Sequence, residues 1–155
     1  GVEFSAGSLG HGLSAAVGMA IANLQLPNSG KIFTLVGDGE CNEGSIWESL
    51  QMAVKLNLDN IICIVDVNNS QVRSLPTSNI ANKFKAFGWN TEELDGHDIN
   101  SLVKAMSSQE FKGPKAIIAN TIKGKGFSKL EEDMFAWHHR APTDEEYLEF
   151  LEELK

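Results

Sequence analysis

Cysteine is scarce in this 155-residue chain: Cys41 and Cys63 are the only two, in no CxxC or zinc-ligand spacing. A disulfide scaffold and a structural zinc site are therefore excluded as organising principles. Basic residues are also short, thirteen Lys and Arg against twenty-one Asp and Glu, for a formal charge of −8. A broad nucleic-acid or anionic-membrane surface requires a basic face, so neither partner is expected. The acid excess is local. Residues 131–155 carry nine acids and two bases, which a solvated acidic helix at the C-terminus explains. No apolar run approaches the ~18 residues of a membrane span. The opening GVEFSAGSLG lacks the basic and apolar regions of a signal peptide, so a cytoplasmic protein is expected. There is no internal repeat or low-complexity tract.

What is present suffices for one buried core: 42% of residues are hydrophobic and 22% charged. Residues 1–155 are read as a single domain. Leu13, Val17, Ala20, Ile21 and Leu24 are spaced for one helix face, and IFTLV (32–36) follows the Pro27-to-Gly30 turn as a short strand. Trp47, Leu50, Val54 and Leu58 mark a helix over 44–58, and IICIV (61–65) is apolar throughout, as in a parallel sheet covered on both faces. Ile80, Phe84 and Phe87 predict a short helix ended by Gly88, and WNTEEL a strand. Asp98 is a candidate N-cap for Ile99, Leu102, Val103 and Met106, and KAIIANT (115–121) is a strand. Thr143 to Glu146 form a capping box that opens a last helix, with Tyr147, Phe150, Leu151 and Leu154 inward. This alternation predicts an α/β domain, a largely parallel sheet with helices on both faces. Residues 122–142 read as one long irregular loop, the kind that is often functional.

The chemistry concentrates at two strand ends. Strand 32–36 runs into Gly37-Asp38-Gly39, and strand 61–65 into Asp66-Val67-Asn68-Asn69, with a helix between. Parallel strands bring both C-terminal ends to one rim, where ligands of open α/β sheets bind. Asp38 offers a hard carboxylate oxygen, Asn68 an amide oxygen, and the turn after it a backbone carbonyl such as that of Ser70. That set suits Mg²⁺, with the remaining octahedral positions left for phosphate oxygens and water. Gly37 and Gly39 allow close backbone approach to a diphosphate, and the start of helix 44–58 adds N–H groups and a positive dipole end. Taken singly, Gly-Asp-Gly is often a turn and Asn-Asn a loop cap; their placement on adjacent crossover ends points to a site. A dinucleotide loop is disfavoured because G-x-G-x-x-N (Gly37, Gly39, Asn42) lacks the third glycine.

The sequence GDGECNEGSIWES (37–49) followed by IVDVNN (64–69) resembles the thiamine-diphosphate motif. The stretches GSLGHGLSAAVGMA (7–20), FGWNTEELDGHDI (87–99), TIKGKG (121–126) and WHHRAP (137–142) are similar to transketolases, above all to the N-terminal subunit of split bacterial ones. The resemblance implies a thiamine-diphosphate-binding fold of the diphosphate-binding type. It implies Asp38 and Asn68 as side-chain ligands of Mg²⁺, which Ca²⁺ or Mn²⁺ replaces, with the Ser70 carbonyl as third ligand. Gly39 and Glu40 correspond to backbone at the diphosphate, and Gly7 and Leu9 to the loop at the aminopyrimidine. Glu43 matches an interface glutamate near the cofactor, although a helix-start carboxylate is equally compatible with its position. His138 matches a histidine facing the thiazolium and substrate.

Among the other histidines, His11 lies in a glycine-rich loop where transketolases carry Gln or His, which implies reach to cofactor or substrate, although a bare loop histidine is more often structural; His97 in Asp95-Gly96-His97-Asp98 reads as the organiser of a helix start. Lys123 and Lys125 offer charge to a phosphate, but lysines in a glycine-rich loop are usually only solvated. The resemblance further implies ketol transfer between sugar phosphates. The glutamate that activates the aminopyrimidine belongs to another domain, so a partner chain and a homo- or hetero-oligomer are expected. The family's N-terminal segment would precede residue 1, and the chain reads as shortened there. Arg73-Ser74 stands where the family commonly has Asp-Gly. The alternatives are the equivalent domain of another thiamine-diphosphate enzyme and a catalytically silent binding domain.

Overall fold

The strand-forming runs pair in parallel, as their apolar character requires. In the computed structural model, which describes residues 1–27, 29–73, 75–108 and 112–154, β1 (Ile32–Gly37), β2 (Ile61–Val67), β3 (Asn90–Asp95) and β4 (Lys115–Asn120) form one sheet in the order β1-β2-β4-β3. Asn28 of the expected turn and Ser74 lie outside the described residues. The two central strands, β2 and β4, are the ones that read as apolar runs, because both of their faces are covered. β1, at an edge, alternates: Ile32 and Val36 enter the core while Phe33 and Leu35 are 51% and 68% exposed.

Connection handedness sets the layers. From β1 to β2 to β3 the chain moves one way across the sheet, and from β3 to β4 it returns. Right-handed crossovers therefore put α2 (Gly44–Lys55) and α3 (Ile80–Ala86) on one face and α4 (Ile99–Ser107) on the other. The core follows suit. Leu13 and Val17 of α1 (His11–Asn23), Ile46 and Leu50 of α2, and Phe84 of α3 pack on Ile61, Cys63 and Val65. Ala105, Leu102 and Met106 of α4 pack on Ile62 and Ile117. Helices do flank both faces, but α4 leaves β1 bare.

Several expected helix faces are turned or trimmed. α2 ends at Lys55, and its inward residues are Ile46, Ser49, Leu50 and Ala53; Val54 is outward and Leu58 is buried from the following turn. Small residues on that face bring α2 against α1, where the Ser14 and Ser49 hydroxyls meet at 2.9 Å. Trp47 turns sideways onto Phe84 and Phe87. Ile21 and Leu24 of the α1 stripe remain partly exposed, as do Ile99 and Val103 of α4. Asp98 caps α4 as expected, accepting from the N–H groups of Asn100 and Ser101. The stretch 122–142 is not wholly irregular, since α5 (Ser128–Glu132) interrupts it. α6 (Asp144–Glu153) starts on the expected capping box but buries only Phe150, against Phe127 and Trp137. Tyr147, Leu151 and Leu154 face outward because α6 packs on the preceding loop rather than on the sheet.

Candidate functional site

All four strands end at one level. Gly37 is in register with Asp66, Asp66 with Ala119, and Asp95 with Asn120, so the segments after β1, β2, β3 and β4 share a rim. At its centre lies Asp38, only 3% exposed. Its Oδ2 accepts the backbone N–H of Asn69 at 2.8 Å, which joins the two loop tips. The left-handed conformation of Asn69 (φ 60°) aims that N–H, at a cost an asparagine tolerates better than most residues. Burial pushes the Asp38 carboxyl above the usual carboxylate range; the N–H groups of Asn69 and Gly39 oppose the rise, Asp66 adds to it, and Lys123 pulls it back.

Asn68 is held at both ends of its amide. Its Nδ2 donates to Asp66 Oδ2 at 2.7 Å, and its Oδ1 accepts the Ser70 N–H at 2.9 Å. A carbonyl oxygen has two lone pairs, so Oδ1 keeps one for a cation. The other oxygen of Asp66 accepts from the Thr121 hydroxyl at the end of β4. Ser70 heads a 3-10 turn through Arg73.

The neighbouring loops are tied to this centre by Glu40. Its Oε2 accepts from Gly37 N at 2.9 Å and its Oε1 from Gly10 N at 3.0 Å, so the side chain yokes the loop before α1 to the Gly-Asp-Gly turn. Gly10 has φ +82°, and a Cβ there would lie 2.7 Å from that of Glu43. The turn does not open α2 directly: a 3-10 turn, Gly39–Asn42, intervenes, which sets the helix start away from Asp38. Asn42, where a dinucleotide fingerprint would have glycine, donates to Leu75 O at 2.8 Å and accepts from the Thr77 hydroxyl. Gly7, Leu9, His11 and Glu43 are exposed near this rim, and none of their side chains makes a hydrogen bond or ion pair among the described residues. Cys41 is no nucleophile, because burial pushes its thiol up to about 12, with Asp38 and Glu40 adding to the effect.

His97, expected to organise a helix start, instead has its ring's partner across the rim: Asp98 caps α4, while His97 Nε2 accepts from Ile122 N at 2.8 Å and fixes the turn after β4. That turn presents Lys123, whose Nζ lies 2.7 Å from Nδ1 of His138. Lys123 thus acts on both the Asp38 carboxylate and the histidine. It holds the His138 imidazole below the usual histidine range, with smaller contributions from burial and His139. Nδ1 is then the acceptor, and Nε2 carries the proton. Because the folded value is lowered, the contact is intact above the ordinary histidine value and is lost as pH falls through the folded one. NMR titration of His138 is expected to give a midpoint below ~6.5, and Lys123→Met to raise it; an unmoved midpoint rejects the pairing.

Residues 1–153 match the family Transketolase, thiamine diphosphate binding domain. The chain belongs to that family. It is 44% identical over 161 residues to one chain of the apulose-4-phosphate transketolase of Actinobacillus succinogenes, covering 100% of this chain and 58% of that one. To transketolase-like protein 2 of Bos taurus it is 41% identical over 162 residues, covering 99% of this chain and 26% of that protein. The crystal structure of transketolase from Campylobacter jejuni superposes with a TM-score of 0.75 at 34% identity, over 84% of this chain and 22% of that one. The chain thus spans little more than half the length of its Actinobacillus relative.

Within this transketolase domain, no three His, Cys, Asp or Glu side chains cluster as a metal set among the described residues. The donors at the rim are mixed, carboxylate, amide and carbonyl oxygen, which fits a hard cation that retains water rather than a zinc-like ion. A buried carboxylate whose proton affinity is raised is a fitting seat for such a cation. Asp66, Thr121 and the Glu40 bridge make contacts at the rim that sequence reasoning misses. For Asp66 a signal exists: it stands two residues before Asn68 at the end of β2, where a chain that stays extended turns i and i+2 the same way. Lys123, whose glycine-rich setting suggests no more than a solvated lysine, is drawn in by the fold.

Proposed function

We propose that this chain anchors thiamine diphosphate through Mg²⁺, as the diphosphate-binding domain (residues 1–155) of a cytoplasmic transketolase. The enzyme would move a two-carbon ketol unit between sugar phosphates, together with a partner chain bearing the pyrimidine domain in a homo- or hetero-oligomer. The observation that carries this reading is the Asn69 N–H on Asp38 Oδ2 at 2.8 Å, which puts the carboxylate and amide loops side by side. When bound, the cofactor supplies a thiazolium that stabilises negative charge on a substrate carbon.

The chain's own residues would hold and orient. Asp38 and the Asn68 amide oxygen would ligate the cation by side chain, and Ser70 by its carbonyl. Gly37, Gly39 and the Glu40 backbone would border the diphosphate, and Gly7 and Leu9 the aminopyrimidine. His138, with Nδ1 occupied by Lys123, would keep an N–H at Nε2 to hydrogen-bond a substrate oxygen. His11 would contact cofactor or substrate from the first turn of α1, and Glu43 would face the partner at the interface.

Calorimetric titration of thiamine diphosphate with and without Mg²⁺ tests the reading. Metal-dependent binding is expected, with turnover of a ketose phosphate only after the pyrimidine-domain chain is added. Binding that ignores the metal removes the cation from the scheme, and no binding with the partner present overturns it.

A further inference from the structure

Arg73 departs from the residue type expected at its position, and the fold gives it a partner. Its guanidinium carbon lies 3.6 Å from the centroid of the Phe135 ring, face-on. Phe135 belongs to a tight turn: Asp133 Oδ1 accepts from Phe135 N at 3.2 Å and Ala136 N at 3.1 Å. The Phe135 carbonyl in turn accepts from His138 N at 3.2 Å. We propose that Arg73 is a positioning residue that clasps the His138-bearing turn to the loop carrying Asn68 and Ser70, so that filling the Asp38–Asn68 site and setting His138 in place become one event. The inference rests on the function proposed above and names a regulation of that same site.

The path is continuous. Asp38 Oδ2 holds Asn69 N, and Asn69 O accepts from Val72 N at 3.2 Å, which closes the 3-10 turn that ends at Arg73. From there the stack reaches Phe135, and the Phe135 carbonyl reaches His138. A cation gripped by Asp38, Asn68 and Ser70 stiffens the first half of this path, and the stack hands that order to the second. Lys123, in the turn after β4, makes a separate contact with the His138 ring. The histidine therefore has two supports, one of which ends in the metal loop. The rest of the 127–154 segment is tied mainly to itself, through Ser128 to Glu153, Lys129 to Glu146 and Glu149, and Phe127 and Trp137 to Phe150. That leaves the Phe135 turn dependent on what reaches it from the sheet rim. A planar guanidinium stacks where an ammonium does not, so Lys is not an equivalent residue here.

Hydrogen–deuterium exchange over 133–139, run on the full protein alongside calorimetry, tests the clasp. Without ligand, Arg73→Ala and Phe135→Leu are each expected to speed exchange of that turn about two- to five-fold, the range of an exposed cation–π contact. The double variant should go no further than either single one, since both remove the same contact. Arg73→Lys should restore protection only in part. With Mg²⁺ and thiamine diphosphate, exchange in the unmodified protein should slow across 133–139. In Arg73→Ala the cofactor should still bind, within about two-fold, without that slowing.

Exchange unchanged in both single variants, or slowing retained in Arg73→Ala, overturns the clasp while leaving the function intact. Cofactor binding without slowing in the unmodified protein does the same. Failure of the unmodified protein to bind cofactor with its partner present overturns the function and the coupling together, and is recognised because no variant is involved.

Discussion

Asp38→Ala is expected to weaken magnesium-dependent binding of thiamine diphosphate by more than about a hundredfold, measured by calorimetric titration at constant Mg²⁺. Loss of a residue that merely orients a metal ligand typically costs about ten- to a hundredfold in metal affinity. On the proposed function Asp38 is itself a ligand, so its removal should exceed that range. Asp38→Asn should do nearly as much harm to binding, because an amide oxygen carries no charge to meet the cation. Its effect on the ligand-free fold should be opposite in sign. Burial raises the Asp38 carboxyl above its ordinary range, so the ionised form is penalised by folding. That penalty is absent below the unfolded value and grows as pH rises through the folded one. Asp38→Asn should therefore melt no lower than the unmodified chain at pH 7 without ligand, yet gain no thermal stability when metal and cofactor are added. Metal and proton compete for the same oxygen, so affinity should also decline as pH falls toward the raised carboxylate range. Binding of Asp38→Ala within about tenfold of the unmodified chain would sink the assignment.

Asp66→Ala carries the second-largest expected effect, a loss of about ten- to a hundredfold in the same titration. Asp66 need not touch the ligand to matter. One of its oxygens fixes the Asn68 amide at 2.7 Å, so that Oδ1 faces the Ser70 N–H and, on the proposed function, the cation. The other takes the Thr121 hydroxyl and couples the loop to β4. Two influences oppose each other in this substitution. Removing a negative neighbour eases ionisation of Asp38, which Asp66 opposes, but it also discards orientation and attraction for the cation. Asp66→Asn separates them. An asparagine there can accept from Asn68 through its oxygen and donate to the Thr121 oxygen, which preserves the geometry without the charge. If orientation dominates, Asp66→Asn should lose less than about tenfold while Asp66→Ala loses more. Equal losses in the two variants would assign the effect to charge.

Strand and helix types are legible in the sequence because their patterns are local. IICIV and the AIIA stretch (116–119) of KAIIANT are apolar throughout, as only strands covered on both faces need be, and both are central in the sheet. The caps at Asp98 and Thr143 are readable for the same reason, since a cap is a contact with the next three residues. Helix faces are less so. In α2, Val54 is as apolar as Leu50 yet lies outward, because Ser49 and Ala53 allow α1 to approach along their side. Hydrophobicity alone cannot convey that preference for small residues. At the site, the pairing of Asp38 with the Asn68 loop follows from parallel strands sharing a rim. The contacts that sequence reasoning misses are those made across long sequence distances by ordinary residues: Glu40 to Gly10, Asp66 to Thr121, Arg73 to Phe135. Each partner has an adequate local explanation, as a first-turn acid, a strand-end acid or a solvated arginine, and only the fold shows what it meets.

The Glu40 bridge has a consequence for the ligand's seat as a whole. On the proposed function, residues 7–9 address one end of the cofactor and residues 37–39 the other, and both loops are riveted to the two oxygens of a single carboxylate. That side chain acts as a gauge block, making the span between the two ends as long as one glutamate. An aspartate at this position would close one rivet and leave the other open, and the seat would drift between lengths instead of keeping a single calibrated one.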